Sequence, residues 1–202
     1  MLSYEQILQN GRTPSELAQQ LTAEDIAQLF GLLREKDNEL RYSAFLLLQE
    51  RSKAHADVYP YWDGLCEKLD DENSYQRSLG VMLLAENVRW DAANRFDKIA
   101  ESYLARTSDE KFITSRQTIQ SIAVWVELKP NLHPLIVDTL THIDIASLKD
   151  TQQKLILLDI LGILVRIQKQ TANEAAADYI ARALTGGVLD KKSVKIIKDM
   201  LG

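Results

Sequence analysis

Asp159 stands in the middle of the most apolar run of the chain, Lys154-Leu-Ile-Leu-Leu-Asp159-Ile-Leu-Gly-Ile-Leu-Val165. A bare carboxylate in such surroundings is costly, so it must be paired, hydrogen-bonded, protonated or open to a groove. Two roles follow. As a structural link, Asp159 reaches Arg116, Gln117 or Ser121 on a preceding helix and fixes the packing register. As a functional group, it lies at the floor of a groove beside Trp125 and meets a ligand there.

Few other residues are spaced for chemistry. The chain has no Gly-rich phosphate loop, no His-Glu-x-x-His and no Cys and His at metal-ligand spacing, so no metal or cofactor is expected. The single cysteine, Cys66, excludes an intrachain disulfide and suits a reducing cytoplasm. Gly186-Gly187 follows Ala183-Leu184-Thr185 and reads as a helix C-cap. His133 and His142 flank the turn Pro130-Asn-Leu-His-Pro134 and its helix without an obvious partner, as ordinary core or surface histidines do. Tyr59-Pro60-Tyr61-Trp62 suits a junction between packed helices. Trp90, between Arg89 and Asp91, is either an exposed anchor for a partner or a ring folded back over a helix end.

The elements that must position these residues are helices. Glycine and proline number only eight and four among 202 residues, and apolar residues recur at spacings of three and four, as in Ile26, Leu29, Phe30 and Leu33. Ser3-x-x-Gln6, Thr13-Pro14-Ser15-Glu16 and Thr22-x-x-Asp25 each offer an N-cap hydroxyl with an acidic or amide side chain three residues on, and Pro14 suits a first helical position. The pattern predicts an all-α protein of about ten to twelve helices. The apolar run Leu155 to Val165 spans 11 residues and is broken by Asp159, whereas a membrane span needs about 20. Met1-Leu-Ser-Tyr-Glu-Gln carries no basic segment leading into an apolar one, so no secretory signal and no membrane association are expected.

A turn bearing Asp, followed by a helix that opens with a basic residue, recurs at Asp37/Arg41, Asp71/Arg77, Asp109/Arg116 and Asp150/Lys154, with a weaker copy at Asp190-Lys-Lys192. The first four basic residues lie 36, 39 and 38 apart, close to one helix-turn-helix unit. Small residues, Ala44 and Gly80, stand three positions after the first two. In this the chain resembles HEAT-repeat proteins of the armadillo-like superfamily over about residues 24 to 202. The resemblance implies a right-handed α-solenoid of about five helical pairs, residues 23–202, behind an N-terminal cap, residues 1–22, as one repeat domain. It further implies that turn Asp and basic residues form a ladder between repeats, and that second helices line a concave, partner-binding face. The third copy departs from the pattern, with a long Asp109-to-Arg116 spacing and Ile119 in place of a small residue.

Counting from each basic residue gives columns that should lie side by side on that face: Leu46, Met82, Ser121 and Asp159; Glu50, Glu86, Trp125 and Ile163; Lys53, Arg89, Leu128 and Arg166. Arg89, Ser121, Trp125, Asp159 and Arg166 are the expected binding residues. The columns depend on register, since a one-residue slip turns each side chain by about 100°. The expected function is non-enzymatic binding of a protein partner on the concave face. The alternative is a DNA-binding enzyme, because bacterial alkylpurine DNA glycosylases are similar HEAT-like stacks whose concave surface uses tryptophans and an Asp. A net charge of -5 disfavours nucleic acid, which is held by clustered Lys and Arg. The balance is uneven: residues 1–106 hold 12 Lys and Arg against 18 Asp and Glu, and residues 107–202 hold 12 against 11. Any anionic partner would therefore favour the C-terminal half. The segment Ala172-Asn-Glu-Ala-Ala-Ala-Asp178 suits close helix contact with a second copy as well as a solvated helix, which leaves the oligomeric state open.

Overall fold

Apolar residues at three- and four-residue spacing need helices to gather them on one side. The computed structural model describes residues 1–10 and 13–202, and among them the regular structure is twelve α-helices and short 3-10 turns, without a strand. Residues 11 and 12 of the predicted N-terminal cap lie outside the described residues. None of the described helices is long and apolar enough to cross a membrane. The chain divides into two compact units, Met1–Arg95 and Phe96–Gly202.

The first unit holds α1 (Tyr4–Asn10), α2 (Ser15–Gln20), α3 (Ala23–Leu32), α4 (Asn38–Ala54), α5 (Trp62–Glu67) and α6 (Ser74–Asn87). Its centre is α4, which packs against α1, α2, α3 and α6. Leu40, Ala44, Phe45, Leu47 and Leu48 are buried along it, a spread too wide for one stripe and suited to a helix covered on several sides. The Arg51 guanidinium, also buried, donates to the Ala18 and Gln19 carbonyls at 3.0 and 2.8 Å and pairs with Asp57 at 2.6 Å. A cation thereby satisfies carbonyls at the end of α2 that no intrahelical donor reaches.

The second unit begins in the first turn of α7 (Arg95–Ala105) and continues through α8 (Phe112–Trp125), α9 (His133–Thr141), α10 (Asp150–Gln170), α11 (Glu174–Thr185) and α12 (Lys191–Leu201). Here α10 is central, packed against α8, α9, α11 and α12, and it buries Ile156, Leu157, Ile160, Leu161, Ile163, Leu164, Val165 and Ile167.

Helix ends follow the sequence signals, with one exception. Ser3 and Gln6 cap each other reciprocally, as do Thr22 and Asp25. Thr13 does not cap α2. The helix starts at Ser15, Pro14 stands before it, and the Pro14 carbonyl accepts the Ala18 N–H. At the other end of a helix, Gly186 closes α11 and Gly187 takes φ +83, the left-handed conformation that glycine adopts without strain.

The expected ladder is partial. Arg41 and Arg77 bind carbonyls of their own turns, Arg41 at Glu35 (2.6 Å) and Arg77 at Asp71 and Glu72 (2.8 and 3.0 Å). Lys154 instead reaches forward 36 residues to Asp190, the N-cap of α12. That ammonium, with the Ser193 N–H, holds the Asp190 carboxyl well below the usual carboxylate range.

One contact shows why a small residue is needed where α6 crosses the chain that follows α5. A Cβ on Gly80 would stand 2.8 Å from the Lys68 Cβ and 3.2 Å from the Leu65 carbonyl oxygen. Lys68 is itself 3% exposed. Its ammonium bonds Gln76 Oε1, while Gln76 Nε2 donates to the Leu33 carbonyl at 2.7 Å. Burial, helped by Arg34, pulls the Lys68 ammonium down to about 8 against the attraction of Asp71 and Glu67.

Gly80→Ala is expected to cost about 1–3 kcal/mol in urea denaturation through overpacking. Gly31→Ala, on the exposed side of α3 with nothing within 4 Å of the new Cβ, should gain about 0.5–1 kcal/mol. The unfolded chain keeps the Lys68 proton up to about pH 10.5 and the folded chain only to about 8, so the unfolded state binds more protons between these values. Stability contributed at this site should therefore rise with pH from 8 to 10.5, by an amount on the order of 3 kcal/mol. The stability of the parent minus that of Lys68→Met, followed across this window, should carry that rise.

Candidate functional site

Asp159 finds its partners on α8. Its Oδ2 accepts from Arg116 Nε at 2.7 Å, and both carboxylate oxygens accept from Gln120 Nε2, at 3.3 and 3.2 Å. The polar break in the apolar run of α10 is thus matched by a guanidinium and an amide on the neighbouring helix. Arg116, Gln117 and Ser121 were the three expected partners; Arg116 is the one engaged, and Gln120 joins it. Two turns along α10, Arg166 Nη1 donates to Glu127 Oε1 at 2.9 Å. Gln170 Nε2 reaches the Glu127 carbonyl at 3.1 Å.

Between these polar links lies a recess of about 220 Å³. Ala123 of α8, Leu158, Gly162 and Ile163 of α10 and Met200 of α12 form its apolar walls, with Gln120, Asp159 and Arg166 at its polar positions. A Cβ on Gly162 would stand 4.0 Å from Met200 Cε, so glycine leaves this space open rather than relieving a clash.

Of the predicted binding residues, the structure brings Asp159 and Arg166 to this recess. Ser121 and Trp125 do not line it. Ser121 is buried, and Trp125 is fully buried with its ring edge-on to Phe96 at 4.6 Å and to Tyr103 at 5.7 Å. The expected open groove floor beside Trp125 is therefore corrected to a packed aromatic core. The cause is register. Gln120 to Asp159 and Glu127 to Arg166 are both offsets of 39 residues, whereas the columns assumed 38. One residue is about 100° of rotation. The true neighbours of Ile160 and Leu164, both fully buried, are then Ser121 and Trp125. Gln120 and Glu127, which sequence reasoning missed, occupy the accessible columns; the long Asp109-to-Arg116 spacing was the signal that the third copy is shifted.

Arg89 belongs to the first unit, where the expected 36-residue register holds. Its Nη1 donates to the Lys53 carbonyl, 36 residues back, at 3.0 Å, and its Nη2 pairs with Glu86 at 3.2 Å. Burial raises the Glu86 carboxyl, opposed by Arg89 and Lys53. Trp90 is folded back over the helix end, its indole N–H donating to the Ser52 carbonyl at 2.7 Å. His133 is buried with Nε2 at 3.0 Å from the Val126 carbonyl, and His142 is exposed with Nδ1 at 2.7 Å from the Asp138 carbonyl.

Cys66 is half-buried, and burial with the nearby Asp63 pushes its thiol up to about 11, which leaves little thiolate at neutral pH. Among the described residues no group of three or more His, Cys, Asp or Glu is placed to hold a metal ion. No protein family, curated protein or solved structure matches the chain.

Asp159→Asn and Arg116→Met should each lower stability by about 1 kcal/mol, because the pair is charge-assisted but partly exposed. A double-mutant cycle in urea should return a coupling of roughly 0.5–1 kcal/mol that shrinks in high salt.

Proposed function

We propose that the chain is a non-enzymatic HEAT-like module, its helical pairs stacked in right-handed solenoid fashion within each unit, that binds a protein partner through the face bearing Asp159 and Arg166. The observation that carries this reading is the recess itself: an apolar floor large enough for a side chain, edged by charges that already have partners. Paired charges at a rim steer and orient a partner while the apolar centre supplies affinity. The pairing also bears on chemistry. Both oxygens of Asp159 are engaged by Arg116 and Gln120, which supports a structural and docking role for the carboxylate over that of a free base. The DNA-enzyme alternative called for a tryptophan and an Asp in one open groove, and the burial of Trp125 favours the protein partner. A cytoplasmic setting accords with the single cysteine.

The test is affinity capture from lysate with the parent chain and with Gln120→Ala/Arg166→Ala, which removes the polar rim of the recess without setting a new carboxylate beside Asp159 or Glu127. A partner held by the parent should be lost from the variant, which should still melt cooperatively with a melting temperature only slightly lowered by the loss of two exposed links. Identical partner sets would sink the proposal, and release of modified bases from a methylated duplex would replace it with the DNA enzyme.

A further inference from the structure

A second recess of the Phe96–Gly202 unit, of about 340 Å³, opens between α9, α10 and α11. Its volume is at the low end of the range for small-molecule sites. Ile145, Leu157, Ala183 and Val188 give it apolar walls, and the turn through Gly186 and the left-handed Gly187 carries Val188, 39% exposed, to its edge.

The polar side chains of the lining fall into two groups. Thr141 Oγ1 donates to the Val137 carbonyl at 2.8 Å and Gln153 Nε2 to the Leu148 carbonyl at 3.0 Å, so these donors are already engaged within the fold. Tyr179 and Arg182, one turn apart on α11, make no hydrogen bond or ion pair among the described residues, and the lining contains no Asp or Glu. Burial pushes the Tyr179 phenol up against the pull of Arg182, so at neutral pH it stays a donor. The recess therefore presents an apolar chamber and two donors without a partner among the described residues, one cationic, with no acidic group of its own.

We propose that this recess binds a small carboxylate with an aliphatic body, the carboxylate held by Arg182 and the Tyr179 hydroxyl and the body against Leu157, Ile145 and Val188. A planar carboxylate matches the fork of one guanidinium. A phosphate, with more oxygens and more charge, would leave acceptors unmet beside these apolar walls. Charge complementarity sets the sign of the ligand, and the apolar lining sets its tail. The site is distinct from the Asp159 recess and does not depend on the protein-partner reading.

The probe is octanoate, titrated into the full chain by calorimetry and by amide chemical shifts, with octylamine as the matched cation. Octanoate should bind saturably at one site, with shifts gathered over residues 141–146 and 179–188, and octylamine should not. Arg182→Gln, at an exposed position, should weaken octanoate about tenfold with the melting temperature unchanged. Val188→Glu, which brings a carboxylate to the edge of the recess, should also weaken it. Absence of saturable octanoate binding up to millimolar concentration would overturn the proposal. So would equal binding of octylamine, or full affinity in a folded Arg182→Gln. A Leu-terminated tetrapeptide that binds more tightly than octanoate would overturn the small-ligand assignment in favour of a peptide C-terminus.

Discussion

A helix packed on most sides by other helices has little surface to give to water, so each polar group on its covered sides must be answered by a neighbour. This constraint governs α4 and α10, the centres of the two units. In the first unit it accounts for Arg51, whose guanidinium meets the end of α2 and Asp57, and for Asn87 of α6, whose amide reaches Ser52 of α4 at 3.0 Å. In the second it accounts for Asp159, answered by Arg116 and Gln120. Each link is polar, so a sliding of one helix past the next would leave a donor or acceptor unmet in an apolar setting. Apolar contact supplies the bulk of the cohesion, while each of these links is satisfied in the register observed.

Much of the helical architecture is legible in the sequence, because helix type and helix ends are written in nearest neighbours. Ser3 with Gln6, Thr22 with Asp25, and the Gly186-Gly187 stop all act within one turn and need no tertiary information. What is not legible is how one helix rotates against another. In the first unit the 36-residue offset read from Arg41 and Arg77 is the one that joins Arg89 to Lys53. In the second, the 39-residue offset matches Lys154 with Ser115 rather than Arg116, so columns counted from Arg116 set Trp125 and Ser121 on a supposed open face although both lie in the core. Thr13 was misread for a related reason: the chain offered hydroxyl, proline and acid in a suitable order, but Pro14 supplied the first helical carbonyl from outside the helix.

The two units distribute charge differently. The first carries the acidic excess of the chain and holds its cations close, with Arg51, Arg77 and Arg89 directed at backbone carbonyls or at carboxylates of the same unit. The second leaves more of its basic side chains outward. Lys191, Lys192, Lys195 and Lys198 all stand on exposed positions of α12, and Arg182 stands beside an apolar recess. Cations that hold carbonyls serve the fold; cations with none to hold remain free to meet something else.

The buried ring of Trp125 has an optical consequence. The other two tryptophans, Trp62 and Trp90, fall in the first unit, so Trp125 is the sole indole of residues 96–202. Its ring is wrapped by Phe96 and Tyr103, and its N–H meets no hydrogen-bond acceptor among the described residues. An indole that is neither wetted nor hydrogen-bonded has an excited state that its surroundings cannot relax, and it emits toward the blue. Light from Trp125 therefore carries a colour of its own, and with Trp62 and Trp90 replaced by phenylalanine the melting of the second unit becomes visible as a red shift from a single chromophore.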